Sequence, residues 1–194
     1  MGSVDIVDEA IEVLRMVGVT LEAGLSEPEF RRIEGTFGFL FGPDHRELLS
    51  RVLPLGKGWV DWRHDSDDEI RIRLDRHKDW VISYVVENGV WGRTWGERPS
   101  SLFEAADIAM RHINAWPTLI PLYAHRYMPA EPTERGAPVL SVHGLDTIFY
   151  GTNLAKYFLT EFHLMDWEPP TDYGEDRKPP WSQLEFWFGE PDFW

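Results

Sequence analysis

The chain has 194 residues, a formal net charge of −14 and no cysteine, which excludes disulfides and thiolate metal sites and sets like charge against binding nucleic-acid phosphates. Hydrophobic residues make up 43% and charged residues 27%, the balance of a globular domain, and no apolar run approaches the ~20 residues of a membrane helix. Such a chain should favour basic partners and speed their association. The stretch MGSVDIVDEAIEVL is acidic and amphipathic, without the basic n-region of a signal peptide, so the expected location is the cytoplasm.

Residues 4–18 read as a helix, with Val7, Ala10, Ile11, Leu14 and Val17 at helical spacing and Gly18 ending the run. A second helix opens on a capping box, Ser26 with Glu29, has Leu25 and Phe30 as its staple, and stops at Gly38. Pro43 opens a third helix, where its missing N–H costs nothing, and Leu48, Leu49, Val52 and Leu53 give it a buried side. Residues 54–65 read as a loop. Ser66 and Glu69 form another capping box; the IRIRL that follows alternates like a strand, but the cap predicts a helix. A further short helix is expected over 78–87, with Gly89 after it, and then a Trp-rich loop over 89–99. Ser101 and Glu104 predict one more helix start, with Phe103, Ala106, Met110 and Ile113 as its apolar face and Pro117 barring continuation.

Strands dominate afterwards. Leu119–Met128 is aromatic and apolar, with Pro121 where an edge tolerates it. Pro138–His143 and Thr147–Tyr150 are short strands joined near Gly144, and Thr152 should cap a helix carrying Leu154, Ala155, Phe158, Leu159 and Phe162. Helices first and strands later predict an α+β fold, with a mixed or antiparallel sheet packed against several helices. Three regions are expected: an N-terminal helical extension over 1–23, a domain over 24–162, and an acidic, Trp-rich tail over 163–194. From Glu161 onward there are nine acidic and two basic residues and nine aromatics, so this segment reads either as a solvated tail or as a docking segment for a basic surface.

Catalytic and cofactor signatures are missing: there is no phosphate-binding glycine loop, nucleophile elbow, H-E-x-x-H or EF-hand pattern. Ser141, His143 and Asp146 form a compressed triad in sequence, but Ser141 and His143 sit on one strand face, where neighbouring side chains do not aim at each other. His125, His143 and Asp146 would make a weak pocket for a ligand or for zinc or manganese if their strands are neighbours. Asp65, Asp67, Asp68 and Glu69 either complement a helix dipole or attract basic residues of a partner. Trp59, Trp62, Trp91 and Trp95 lie in loops, where they fill a core edge or anchor an interface; Trp91 and Trp95 join the acidic cluster as candidate partner contacts.

Several spaced residues carry a resemblance. They are Ile33-Glu34, Phe37-Gly38-Phe39, Phe41-Gly42-Pro43-Asp44 and Leu48-Leu49; then Trp59–Trp62, Tyr123–Pro129 and the run Gly136-x-Pro138-Val139-x-Ser141-Val142, with Asp146 and Tyr150-Gly151 behind it. Together they resemble the SUKH superfamily over about residues 24–162. Gly42-Pro43 replaces the usual Leu-Pro, and His45 stands where an aromatic is usual. The resemblance implies an α+β fold and a non-catalytic binding role. It fits best an immunity protein that covers the active site of a secreted toxin, such as a basic nuclease; the alternative is a module like the regulators of cell-wall assembly. No catalytic residue, metal or cofactor is expected, direct nucleic-acid or membrane binding is not expected, and the chain should be a monomer or weak homodimer.

Overall fold

The fold is α+β in a computed structural model that describes residues 5–166; the part of the expected acidic, Trp-rich tail over 167–194 lies outside the described residues. Among the described residues there are six helices and two antiparallel sheets, of two and four strands.

Helix α1 (Ile6–Met16) starts where the Asp5 carboxylate accepts the amides of Val7 and Asp8, and its buried side is Val7, Ala10, Ile11, Val13 and Leu14. It is shorter than the 4–18 span the apolar spacing predicts. Strands β1 (Thr20–Ala23) and β2 (Val52–Leu55) pair antiparallel, Thr20 opposite Leu55 and Ala23 opposite Val52. The sequence reading missed both: each has only four residues, and Val52 and Leu53 continue the apolar face of the preceding helix. Gly24, just after β1, packs onto the Ser50 carbonyl so closely that a Cβ would lie 2.1 Å from its oxygen, which leaves no room for any larger residue.

Helix α2 (Glu27–Phe37) begins with the Ser26 amide donating to the Glu29 carboxylate at 2.7 Å and ends on Gly38 in the left-handed conformation. Helix α3 (Pro43–Arg51) starts on the proline as expected. At α4 (Asp67–Asn88) the cap overrides the alternation: Ser66 Oγ accepts the Glu69 amide, and the helix runs 22 residues without the break expected before residue 78. Gly89 then closes it. Helix α5 (Leu102–Ile113) is capped by Ser101, but it turns a different face inward. Ala105, Ala109 and Ile113 are buried, whereas Phe103 is 80% exposed.

The four-stranded sheet has the order β3 (Leu119–Tyr123), β4 (Arg126–Pro129), β5 (Val139–His143), β6 (Asp146–Gly151), all antiparallel. The Leu119–Met128 segment is therefore a hairpin rather than one strand, turning at Ala124 and His125, and Pro121 sits on the edge strand. Helix α6 (Leu154–Glu161) is capped by the Asn153 side chain, which accepts the Lys156 amide at 2.9 Å; the cap is one residue after the expected Thr152.

Alternation along β4 assigns the two faces of the sheet. Tyr127 points to α4, its ring 4.8 Å from that of His77, while Arg126 points the other way, to Glu161 of α6. The main core lies between α1, α5, α6 and the sheet. A second core, with Phe30, Phe41, Trp62 and Ile70 at its centre, fills the space between α2, α3, the start of α4 and β3. Trp62 is 2% exposed and meets Phe39 and Phe41 edge-on at 6.2 and 5.1 Å.

Two histidines are buried in these cores, and they set the acid response of the fold. His45 and His77 are held neutral by burial, each pushed down to about 3 from an ordinary 6.5. The unfolded chain takes up a proton on each as pH falls below about 6.5, and the folded chain does not until about 3. Stability is therefore complete above that window and lost as pH falls through it, by about 1 kcal/mol per pH unit for each imidazole. Glu29 adds to the loss lower down: the Arg63 guanidinium and Ser26 hold its carboxyl at about 2, so its contribution fades from about 4.5 downward. The urea midpoint should drop steadily between pH 7 and 4, and His45→Leu should flatten that slope. A midpoint unchanged over this range would refute the assignment.

Candidate functional site

Three places hold the residues singled out by sequence. The first is the start of α4. Glu69 folds back to accept the Ser66 amide at 2.8 Å, Asp67 pairs with Arg32 at 3.0 Å, and Asp65 lies 3.8 Å from Arg73 and accepts the Asp61 amide at 3.1 Å. Asp68 is exposed in the first turn of the helix. The cluster is thus an acidic helix start partly compensated by Arg32 and Arg73, with Arg63 beyond them tying Glu22 and Glu29 to the end of β1. Exposed pairs of this kind contribute about 0–1 kcal/mol each to stability, and their carboxylates remain at the surface.

The second place is the loop after α4. Trp95 is buried, stacked on His112 at 5.3 Å with an interplanar angle of 10°, and Trp91 meets it edge-on while donating its indole N–H to the Gly96 carbonyl at 2.8 Å. Gly92 makes this possible, since a Cβ there would lie 2.5 Å from the Trp95 ring. Both tryptophans close an edge of the main core. Trp59 and Trp62 are likewise buried. Trp91 and Trp95 follow the C-terminal end of α4, about 30 Å along the helix from its acidic start.

The third place is the open end of the sheet. His125 and His143 come into edge-to-face ring contact at 5.9 Å, and Asp146 sits opposite His143 across the β5–β6 turn. His143 also packs on Trp80 at 5.1 Å. Ser141 does not join them as a nucleophile, because its hydroxyl accepts from the Arg126 guanidinium at 3.0 Å. Burial and the neighbouring Arg126 push His125 down to about 4, so it is neutral at physiological pH. Among the described residues no three His, Cys, Asp or Glu side chains converge well enough to hold a metal ion.

Sequence reading missed the charged pair behind this corner. Arg126, at the register position of Ser141, crosses the sheet under Tyr150 (4.0 Å from guanidinium to ring centroid) and pairs with Glu161 at 3.3 Å. Its guanidinium also touches His125. Tyr157 is fully buried beside them, and burial raises its phenol well above 10. The available signal was an arginine, the one formally charged residue of Leu119–Met128; the partner, 35 positions further on, could not be read from local pattern.

The residues that carry the resemblance have structural work. Glu34 accepts the Phe41 amide at 3.2 Å and reaches Arg46 at 3.7 Å, closing the corner between α2 and α3. Asp44, buried at the start of α3, accepts the Gly136 amide at 2.6 Å and fastens the loop before β5 to this corner; burial raises its carboxyl above the usual range. No protein-family model, curated protein or solved structure matches the chain. No helix among the described residues is long and apolar enough to cross a membrane.

Proposed function

We propose that this chain is a non-catalytic protein-binding module of SUKH type, and that it acts as a cytoplasmic immunity protein blocking a basic toxin domain, such as a nuclease, in a one-to-one complex. The observation that carries this reading is the charge. A formal −14 on 194 residues suits a surface built to hold phosphates, and exposed carboxylates at Asp67, Asp68 and Glu69 present part of it at the start of a 22-residue helix, with half-buried Asp65 just before it. The α+β fold and the spaced residues from Glu34 to Tyr150 support it further. The weaker reading, a ligand pocket at His125, His143 and Asp146, finds less support, since Ser141 and Arg126 at its base already bond each other.

Affinity capture from the source cell's lysate and secretions, at low salt and at about 0.5 M salt where exposed pairs are screened, tests the proposal. The expected result is a basic, toxic polypeptide at a one-to-one ratio, lost or weakened at high salt, and weakened again by Asp68→Lys. Recovery of housekeeping proteins alone would favour a regulatory module and overturn the toxin reading.

A further inference from the structure

The apolar stripe expected to face the core along α5 is split: Ile113 is buried, Ala106 and Met110 are half-buried, and the Phe103 end faces solvent. Phe103 is 80% exposed, and Met110 lies two turns further along the same side, about 10 Å away. Beside Met110, between α4 and α5, is a depression of about 300 Å³ with Ile72, 62% exposed, on its α4 side. Its rim carries Arg71 and Lys78 against Asp75 and Asp79, two charges of each sign, with Lys78 also donating to the Asn114 side chain at 3.1 Å.

We infer that this outer face of α4 and α5 is a self-association surface, and that its occupant is a second copy of the chain. Three observations select that occupant. A projecting ring and a hollow lie on one stripe, so a two-fold axis between them seats each copy's Phe103 on the other's depression, the reciprocal contact a symmetric dimer requires. The rim is self-complementary: rotation about such an axis can set Arg71 of one copy against Asp79 of the other, while Lys78 already lies 3.8 Å from Asp75 of its own chain. The whole chain carries −14, which opposes self-association, whereas this rim sums to zero. The dimensions suffice for a weak dimer: α4 is about 33 Å long and α5 about 18 Å, so at about 10 Å per helix the face covers roughly 500 Å² per copy, about 1,000 Å² in all, the lower limit for a specific interface. The inference is independent of what the acidic surface binds.

Sedimentation of the full chain over about a hundredfold dilution tests it, because a dimer dissociates by mass action. The expected mass passes from two chains to one. Phe103→Glu should hold the chain monomeric throughout with an unchanged melting temperature, since the ring touches little in its own copy; Ile72→Arg serves the same purpose from the other helix. The absence of cysteine allows a positional check. A mixture of Phe103→Cys and Met110→Cys chains should oxidise to the mixed pair. A single-chain mass at every concentration, dimers unaffected by both charge insertions, or no mixed cross-link would overturn the inference.

Discussion

Trp62→Ala should lower the unfolding free energy by about 3–5 kcal/mol, the range for truncating a large buried aromatic. The indole is 2% exposed and packs edge-on against both Phe39 and Phe41, so its removal leaves a cavity lined by those rings. Ile70 and Leu74 of α4 belong to the same cluster, so the loss reaches the attachment of that helix as well as the α2–α3 corner. Urea unfolding at pH 7 reads the effect, with Trp91→Ala as the comparison because Trp91 is only partly buried at the edge of the other core. A loss under about 1 kcal/mol would mean that the second core collapses to fill the space.

The second large effect is expected at Arg126 and Glu161. Arg126→Met should cost about 3 kcal/mol or more, because it leaves the Glu161 carboxylate, 17% exposed, without its counter-charge on a largely covered face of the sheet. Arg126→Met combined with Glu161→Leu should recover most of that loss, since two apolar side chains in the same space carry no desolvation penalty. The pair is thus expected to show strong coupling in a double-mutant cycle. If the double variant is as unstable as the sum of the two single ones, the guanidinium matters through Ser141 and Tyr150, and its pairing with Glu161 is incidental.

Local signals carried well from sequence to structure. The serine–glutamate boxes at Ser26 and Ser66 placed two helix starts, and Gly38 and Gly89 two helix ends, because capping is decided within four or five residues. The same locality explains why the Ser66 cap prevailed over the IRIRL alternation: once helical, Ile70 is buried and Ile72 points to the opposite side. What could not be read depends on what the rest of the chain brings near. Strands β1 and β2 are each too short for a pattern and exist by pairing with each other across about thirty residues. In α5, hydrophobicity ranks phenylalanine above alanine, yet the buried face is Ala105, Ala109 and Ile113, with small side chains along its first two turns. The candidate site divides in the same way. The acidic start of α4 was visible as a run of charge, His125 and His143 meet only because β4 and β5 are neighbours, and the Arg126–Glu161 pair depends on α6 returning to the sheet.

The packing of α1 against α6 bears on how the chain is made. Met16 and Leu154 are 138 positions apart (16 to 154), so α1 leaves the ribosome long before the helix that covers it. At about 5–20 residues per second the delay is on the order of ten seconds. Through that interval Val7, Ala10, Ile11 and Leu14 have α3 as a neighbour but lack their α6 cover, which leaves part of the apolar strip open to holdase chaperones until α6 docks. Closure of this contact comes late and spans nearly the whole domain, so the loop entropy it must overcome makes it a natural slow step in folding.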